Sequence, residues 1–175
     1  LYFAWESEIV FRWWALPLYF SLDIAVILFP FLFASWRDAI APVGTLFAQT
    51  AVAAIFFVLV PIDPCYETTG VWGPYFYEYF GLENLSRWNH APSLHVSYVF
   101  TMAWVIGMRY GKTIMTLSLL WAIAVSVSTM LVHEHHFICV LSGFALFLFT
   151  VVTVYPALQR KYNDPTHRSM PDCTA

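Results

Sequence analysis

Ser128-Thr129-Met130-Leu131-Val132-His133-Glu134-His135-His136-Phe137-Ile138-Cys139-Val140-Leu141-Ser142-Gly143 is the stretch on which the fold turns. Its histidine-rich turn, Val132 to His136, separates two long apolar runs, Thr113 to Leu131 and Phe137 to Tyr155. At about 1.5 Å per residue, each run as a helix approaches the thickness of a hydrocarbon core of roughly 30 Å. The turn therefore reads as a crossing point at a membrane surface.

A second polar segment, Asn89-His90-Ala91-Pro92-Ser93-Leu94-His95, stands at the mouth of another apolar run, Ser93 to Met108. Together the two segments hold five of the six histidines in the chain: His90, His95, His133, His135 and His136. The composition agrees with a membrane reading, because 60% hydrophobic and only 11% charged residues lie far from soluble norms. Mean hydropathy is +0.66. The fold class expected is all-α, a polytopic membrane helix bundle. A net charge of -3 without a basic block gives no electrostatic footprint for nucleic acid, so no nucleic-acid partner is expected.

Five spans follow from the apolar runs. The first, Trp14 to Ala34, is interrupted by Pro17, Asp23 and Pro30, and neighbouring helices must receive that carboxyl. Trp36-Arg37-Asp38 reads as a polar turn before a second span, Val43 to Val60, whose Gly44, Ala48, Ala51 and Ala54 suit close helix packing. The third is Ser93 to Met108, the fourth Thr113 to Leu131 and the fifth Phe137 to Tyr155, with Pro156 ending the last helix. Leu1 to Trp13 mixes aromatic residues with Glu6, Glu8 and Arg12, as a headgroup belt does. Ile62 to Ala91 is expected to be a long loop with an interfacial helix near Tyr75 to Phe80. The expected domain limits are 1–156 for the membrane unit and 157–175 for a polar tail or linker to a possible downstream domain. The chain opens mid-protein in character, as though a segment preceded it.

Alternating the spans puts Arg37, Arg109, Lys112, Arg160, Lys161 and Arg168 on one side, and only Arg12 and Arg87 on the other. By the positive-inside rule the first group is cytoplasmic. Both histidine segments then share the extracytoplasmic face.

Pro92 suits the first turn of a helix, and Ser93 and His95 lie at that start, where backbone N–H groups and the dipole attract an anion such as phosphate. A second imidazole at His135 can attack phosphorus while His95 protonates the departing oxygen. Residue 139, one turn beyond His135, can hold that imidazole in its working tautomer. Each segment taken singly has a plainer reading: Pro and Ser open many helices, and interfacial histidines are often polar tips. Their joint placement on one face favours chemistry.

Pro92-Ser93-Leu94-His95 and the pair Ser128 and His135 resemble the second and third motifs of the type 2 phosphatidic acid phosphatase superfamily, Pro-Ser-x-His and Ser-Arg-x5-His-x3-Asp. The likeness covers about Trp14 to Tyr155 and is nearest to bacterial members related to inositol-phosphate transferring enzymes. It implies a six-helix core with its first helix absent here, in a bacterial inner membrane. It implies an extracytoplasmic site without metal or cofactor, acting on a lipid phosphate through a phosphohistidine. In that scheme His135 is the nucleophile, His95 the general acid, Cys139 stands where the Asp partner of the nucleophile belongs, and Ser93 and Ser128 contact the phosphate. Three departures accompany the likeness: Thr129 replaces the usual Arg, Cys139 replaces Asp, and the basic first motif is missing. Arg87 is the nearest cation to take over the lost charge.

A thiol is a weak hydrogen-bond partner and cannot stabilise an imidazolium as a carboxylate does. A second expectation is therefore a catalytically impaired relative that binds lipid headgroups or a protein partner. A third takes His90, His133, His135, His136 and Cys139 as metal ligands, though desaturase-like enzymes need several such boxes and the chain has one. A Cys65–Cys139 disulfide across the extracytoplasmic side is a further expectation.

Overall fold

A computed structural model describes residues 3–60 and 91–163. Arg87, His90, Cys65, the expected interfacial helix and the tail beyond 163 lie outside the described residues. Within them, all regular structure is helical: α1 is Leu16–Leu28, α2 Trp36–Leu59, α3 Leu94–Tyr110, α4 Lys112–Leu131 and α5 Phe137–Asn163. Short 3₁₀ turns occupy Ala4–Glu8, Trp13–Ala15 and Phe29–Leu32.

Among the described residues, four helical runs are long and apolar enough to cross a membrane: Trp13–Leu32, Trp36–Leu59, Lys112–Leu131 and Phe137–Tyr162. Large apolar side chains such as Ile27, Phe31, Phe47, Val58 and Val152 point outward from them, as they do where lipid is the solvent. α3, the third of the five expected spans, is shorter than these four. It has 17 residues, about 25 Å of helix. Its distinction is positional, since it packs against each of the other four helices. Val96, Val99, Met102, Ala103 and Val105 are buried on it, the last four packing with Leu22 and Phe29, Leu46 of α2, and Ala122 and Val125 of α4.

Among the described residues, Gln49 Oε1 is the one buried side-chain polar atom without a hydrogen-bond partner. Thr101 Oγ1 donates to the Ser97 carbonyl at 2.8 Å. The Gln49 amide donates to Thr101 Oγ1 at 2.7 Å and Thr150 Oγ1 at 2.8 Å, tying α2, α3 and α5 together. In a bundle without water such bonds contribute about 0.6 kcal/mol each on average.

Three boundaries differ from those expected. α2 begins at Trp36 because Ser35 caps it: Asp38 N–H donates to Ser35 Oγ at 3.3 Å and that hydroxyl donates to Asp38 Oδ2 at 2.9 Å. The polar triplet 36–38 is thus the first helical turn. Pro30 converts the end of the first run into a 3₁₀ turn, leaving α1 only 13 residues. α5 continues through Pro156 to Asn163, past the expected limit at 156. Proline removes only its own N–H bond to residue 152, and the turns on both sides carry the helix past it. Between α3 and α4, Gly111 takes φ 98°, a conformation that side chains with a Cβ rarely adopt, and so closes the tightest connection in the bundle.

Because the helices alternate, the starts of α1, α3 and α5 and the ends of α2 and α4 gather at one end, here the histidine end. Phe33, Asp38, Arg109 and Pro156 belong to the other.

Candidate active site

Ser93 caps α3, its hydroxyl accepting the Val96 N–H at 3.3 Å. Its own N–H donates to the Cys139 carbonyl at 3.1 Å. This bond joins the two histidine segments, and Gly143 permits it. A Cβ at 143 would stand 2.4 Å from the Ser93 carbonyl oxygen and 3.0 Å from Val96 Cβ. Only a residue without a side chain lets the start of α3 lie this close to α5.

That approach brings His95 and His135 together, ring centroids 5.5 Å apart and 62° between planes. On its other side His95 stacks on Tyr19 of α1 at 4.5 Å. His95 also borders a cavity of about 290 Å³ between α1 and α3, with Asp23, Val26 and Tyr98. Asp23 is therefore exposed at a groove rather than received inside the bundle. The two imidazoles are in direct contact, so a phosphoryl group enters between them only if the rings part. Near-attack geometry needs about 3–3.5 Å from nucleophile to phosphorus, and the acid needs about 2.6–3.2 Å to the leaving oxygen.

The turn that presents His135 is built from backbone bonds. Val132 N–H donates to the Ser128 carbonyl at 3.0 Å, and the N–H groups of Glu134 and His135 both donate to the Thr129 carbonyl, at 3.0 and 3.1 Å. His133 sits at φ 62°, a left-handed conformation costing about 1–2 kcal/mol for a residue with a Cβ. It is held there by its side chain, whose Nε2 donates to the Ile9 carbonyl at 2.8 Å, with Phe11 edge-on at 5.6 Å.

Glu6 is the residue that sequence reading placed wrongly. Expected in a headgroup belt, it is fully buried. One carboxylate oxygen accepts the Phe3 N–H at 2.8 Å, and the other accepts the Phe137 N–H at 2.9 Å and His136 Nδ1–H at 3.0 Å. It thus caps α5 from a remote segment, a favourable place for a negative charge at a helix N-terminus. With Arg12 N–H on the Leu131 carbonyl at 2.9 Å, residues 3–15 form a strap over the histidine turn. Burial pulls His136 below its ordinary range, although the Glu6 hydrogen bond and charge pull the other way. Burial also lowers His133, against the opposing Ile9 bond. Both imidazoles are neutral at pH 7.

Of the residues expected to act, the structure brings His95, His135, Ser93 and the backbone of Cys139 into one cluster. Cys139 is a buried free thiol, and Cys65, its expected disulfide partner, lies outside the described residues. Its carbonyl accepts from Ser93 N–H and from Ser142 Oγ, each at 3.1 Å, and its N–H donates to the His136 carbonyl at 2.9 Å. Ser128 is buried, and its hydroxyl donates to the Val125 carbonyl of its own helix at 2.7 Å. Arg87 is outside the described residues. Among those described, no three His, Cys, Asp or Glu side chains converge as a metal site. Tyr19, Gly143 and Glu6 were missed; of these only Gly143, a small residue one turn after Cys139 in an apolar helix, carried a sequence signal. No family model matches the chain, and neither a curated protein nor a solved structure matches it.

Proposed function

We propose that the protein is a membrane phosphatase or phosphotransferase of lipid phosphates, a divergent member of the type 2 phosphatidic acid phosphatase superfamily. In this reading its helices belong to a six-helix core in a bacterial inner membrane, with the histidine end facing away from the cytoplasm. The single observation that supports it is the contact between His95 and His135, two imidazoles 40 residues apart in the chain, at the start of α3. An imidazole nitrogen of His135 attacks phosphorus and the bond to the lipid oxygen breaks. His95 supplies the proton to that oxygen. Water then cleaves the phosphohistidine, with His95 taking its proton, or an acceptor alcohol does so in a transfer reaction. The groove beside His95 offers the lipid an approach from the side.

A second reading, headgroup binding without turnover, is favoured by residue 139, where a buried free thiol stands in place of the carboxylate that would stabilise an imidazolium. One experiment separates the two. Metal-free phosphate release from phosphatidic acid by purified protein should vanish in His135→Ala and rise in Cys139→Asp, which restores a carboxylate; an analogous carboxylate accounts for about 10⁴ in turnover in another histidine system. Equal release by all three proteins defeats the enzyme reading, and reproducible release that depends on His135 defeats the binding-only one.

A further inference from the structure

The bundle opens a second time, at the end away from the histidines. A cavity of about 540 Å³ lies there among α2, α3 and α5, with Trp104, Met108 and Val151 among its walls. That volume suits a small-molecule or headgroup site, which is usually an apolar pocket with a few orienting polar groups. The polar groups here are Arg109, Asp38, Tyr155 and Gln159.

Their charges are opposite and not joined. Arg109, in the last turn of α3, lies with its guanidinium 5.4 Å over the Phe33 ring, and among the described residues it forms no ion pair. Asp38 takes its hydrogen bond from Ser35 instead. The cavity thus presents a fork of N–H donors shaped for phosphate oxygens, a phenol and an amide beside it, and a separate carboxylate. Its level matches a lipid headgroup: Arg109, Lys112, Arg160 and Lys161 all end helices or begin them at this end, and the apolar walls extend from there into the bundle. A ligand that satisfies all of this carries one phosphate, one cation and an apolar tail. Inorganic phosphate leaves the apolar walls unused, and an anionic lipid brings no cation to Asp38.

We propose that this cavity binds the headgroup of an amine-bearing zwitterionic phospholipid from the adjoining leaflet, its phosphate on Arg109 and its ammonium on Asp38. The site is independent of the chemistry at the histidine end. It gives α2, α3 and α5 a shared lipid ligand, so occupancy stabilises the bundle.

The test uses the full chain, stripped of lipid in dodecyl maltoside and titrated with dioleoyl-phosphatidylethanolamine, dioleoyl-phosphatidylglycerol or inorganic phosphate while the thermal midpoint is followed. Phosphatidylethanolamine should raise the midpoint saturably, phosphatidylglycerol should need about fivefold more lipid, and inorganic phosphate should do nothing. Arg109→Gln should lose the response to both lipids, Arg109→Lys should keep part of it, and Asp38→Asn should lose only the preference for the amine. Brominated phosphatidylethanolamine should quench wild-type fluorescence more than that of Trp104→Phe. The proposal is overturned if wild type and Arg109→Gln titrate alike, if inorganic phosphate matches the lipid, or if Asp38→Asn keeps the preference. Should Arg109→Gln not fold, the Asp38→Asn comparison and the Trp104 quench decide alone.

Discussion

Replacing Gly143 with alanine tests whether the two histidine segments depend on one close approach. The added Cβ would lie 2.4 Å from the Ser93 carbonyl oxygen, and ordinary contact begins at 3.4 Å, so the start of α3 must retreat by about 1 Å. The obstacle is backbone, which cannot rotate aside. The same retreat stretches the 3.1 Å bond from Ser93 N–H to the Cys139 carbonyl beyond hydrogen-bond range. Overpacking costs about 1–3 kcal/mol and the lost bond about 0.5–1.5 kcal/mol. The alanine returns about 1 kcal/mol through helix propensity. The net is a loss of about 0.5–3.5 kcal/mol. Gly44→Ala is the matched control, because its Cβ meets only the tip of the Leu158 side chain, at 2.8 Å, which can swing away. Unfolding of both variants by sodium dodecyl sulfate in mixed micelles should place Gly143→Ala below wild type and Gly44→Ala at or above it. Because a displacement of about 1 Å at reacting groups can cost 10²-fold in rate, phosphate release should fall by about that factor in Gly143→Ala alone. A Gly143→Ala protein as stable as Gly44→Ala would refute the close-approach account.

Two further outcomes follow from the strap. Glu6→Gln keeps the shape but turns an N–H₂ toward a donor, so it should lower stability by about 1–3 kcal/mol in the same micelle titration; a change within 0.5 kcal/mol of wild type, about the scatter of a surface substitution, would show that the cap contributes nothing. For pH, burial lowers His133 and His136 in the folded state, so the unfolded chain binds protons more readily. Their contribution is complete above the unfolded value of about 6.5 and is lost as pH falls below it through the folded values. Stability measured from pH 7.5 to 4.5 should fall less steeply in His133→Asn, which removes one titrating group and tolerates the left-handed backbone; an unchanged slope would count against it.

Much of the bundle was legible in the chain itself. Apolar runs close to the length of a bilayer core, punctuated by short polar turns, force helices, since lipid offers backbone groups no other partner. The histidine turn and the two motif segments could be located the same way, and alternation alone put them at one end. What local pattern misjudged was where prolines and caps act. Pro156 ends no helix here, and Trp36 begins one, because a single lost N–H bond or a serine cap is weighed against the packing of the whole element.

The site depended on contacts that no spacing encodes. Glu6 reaches His136 and Phe137 across 130 and 131 residues, Tyr19 finds His95 through the packing of α1 on α3, and Gly143 matters only because the Ser93 carbonyl arrives beside it. Sequence determines the period and hydropathy of each element, which are local properties. Which side chains become neighbours, and whether a carboxylate beside an aromatic belt is wet or sealed, is decided when the helices choose their partners, because burial and hydrogen bonding are properties of the assembled bundle.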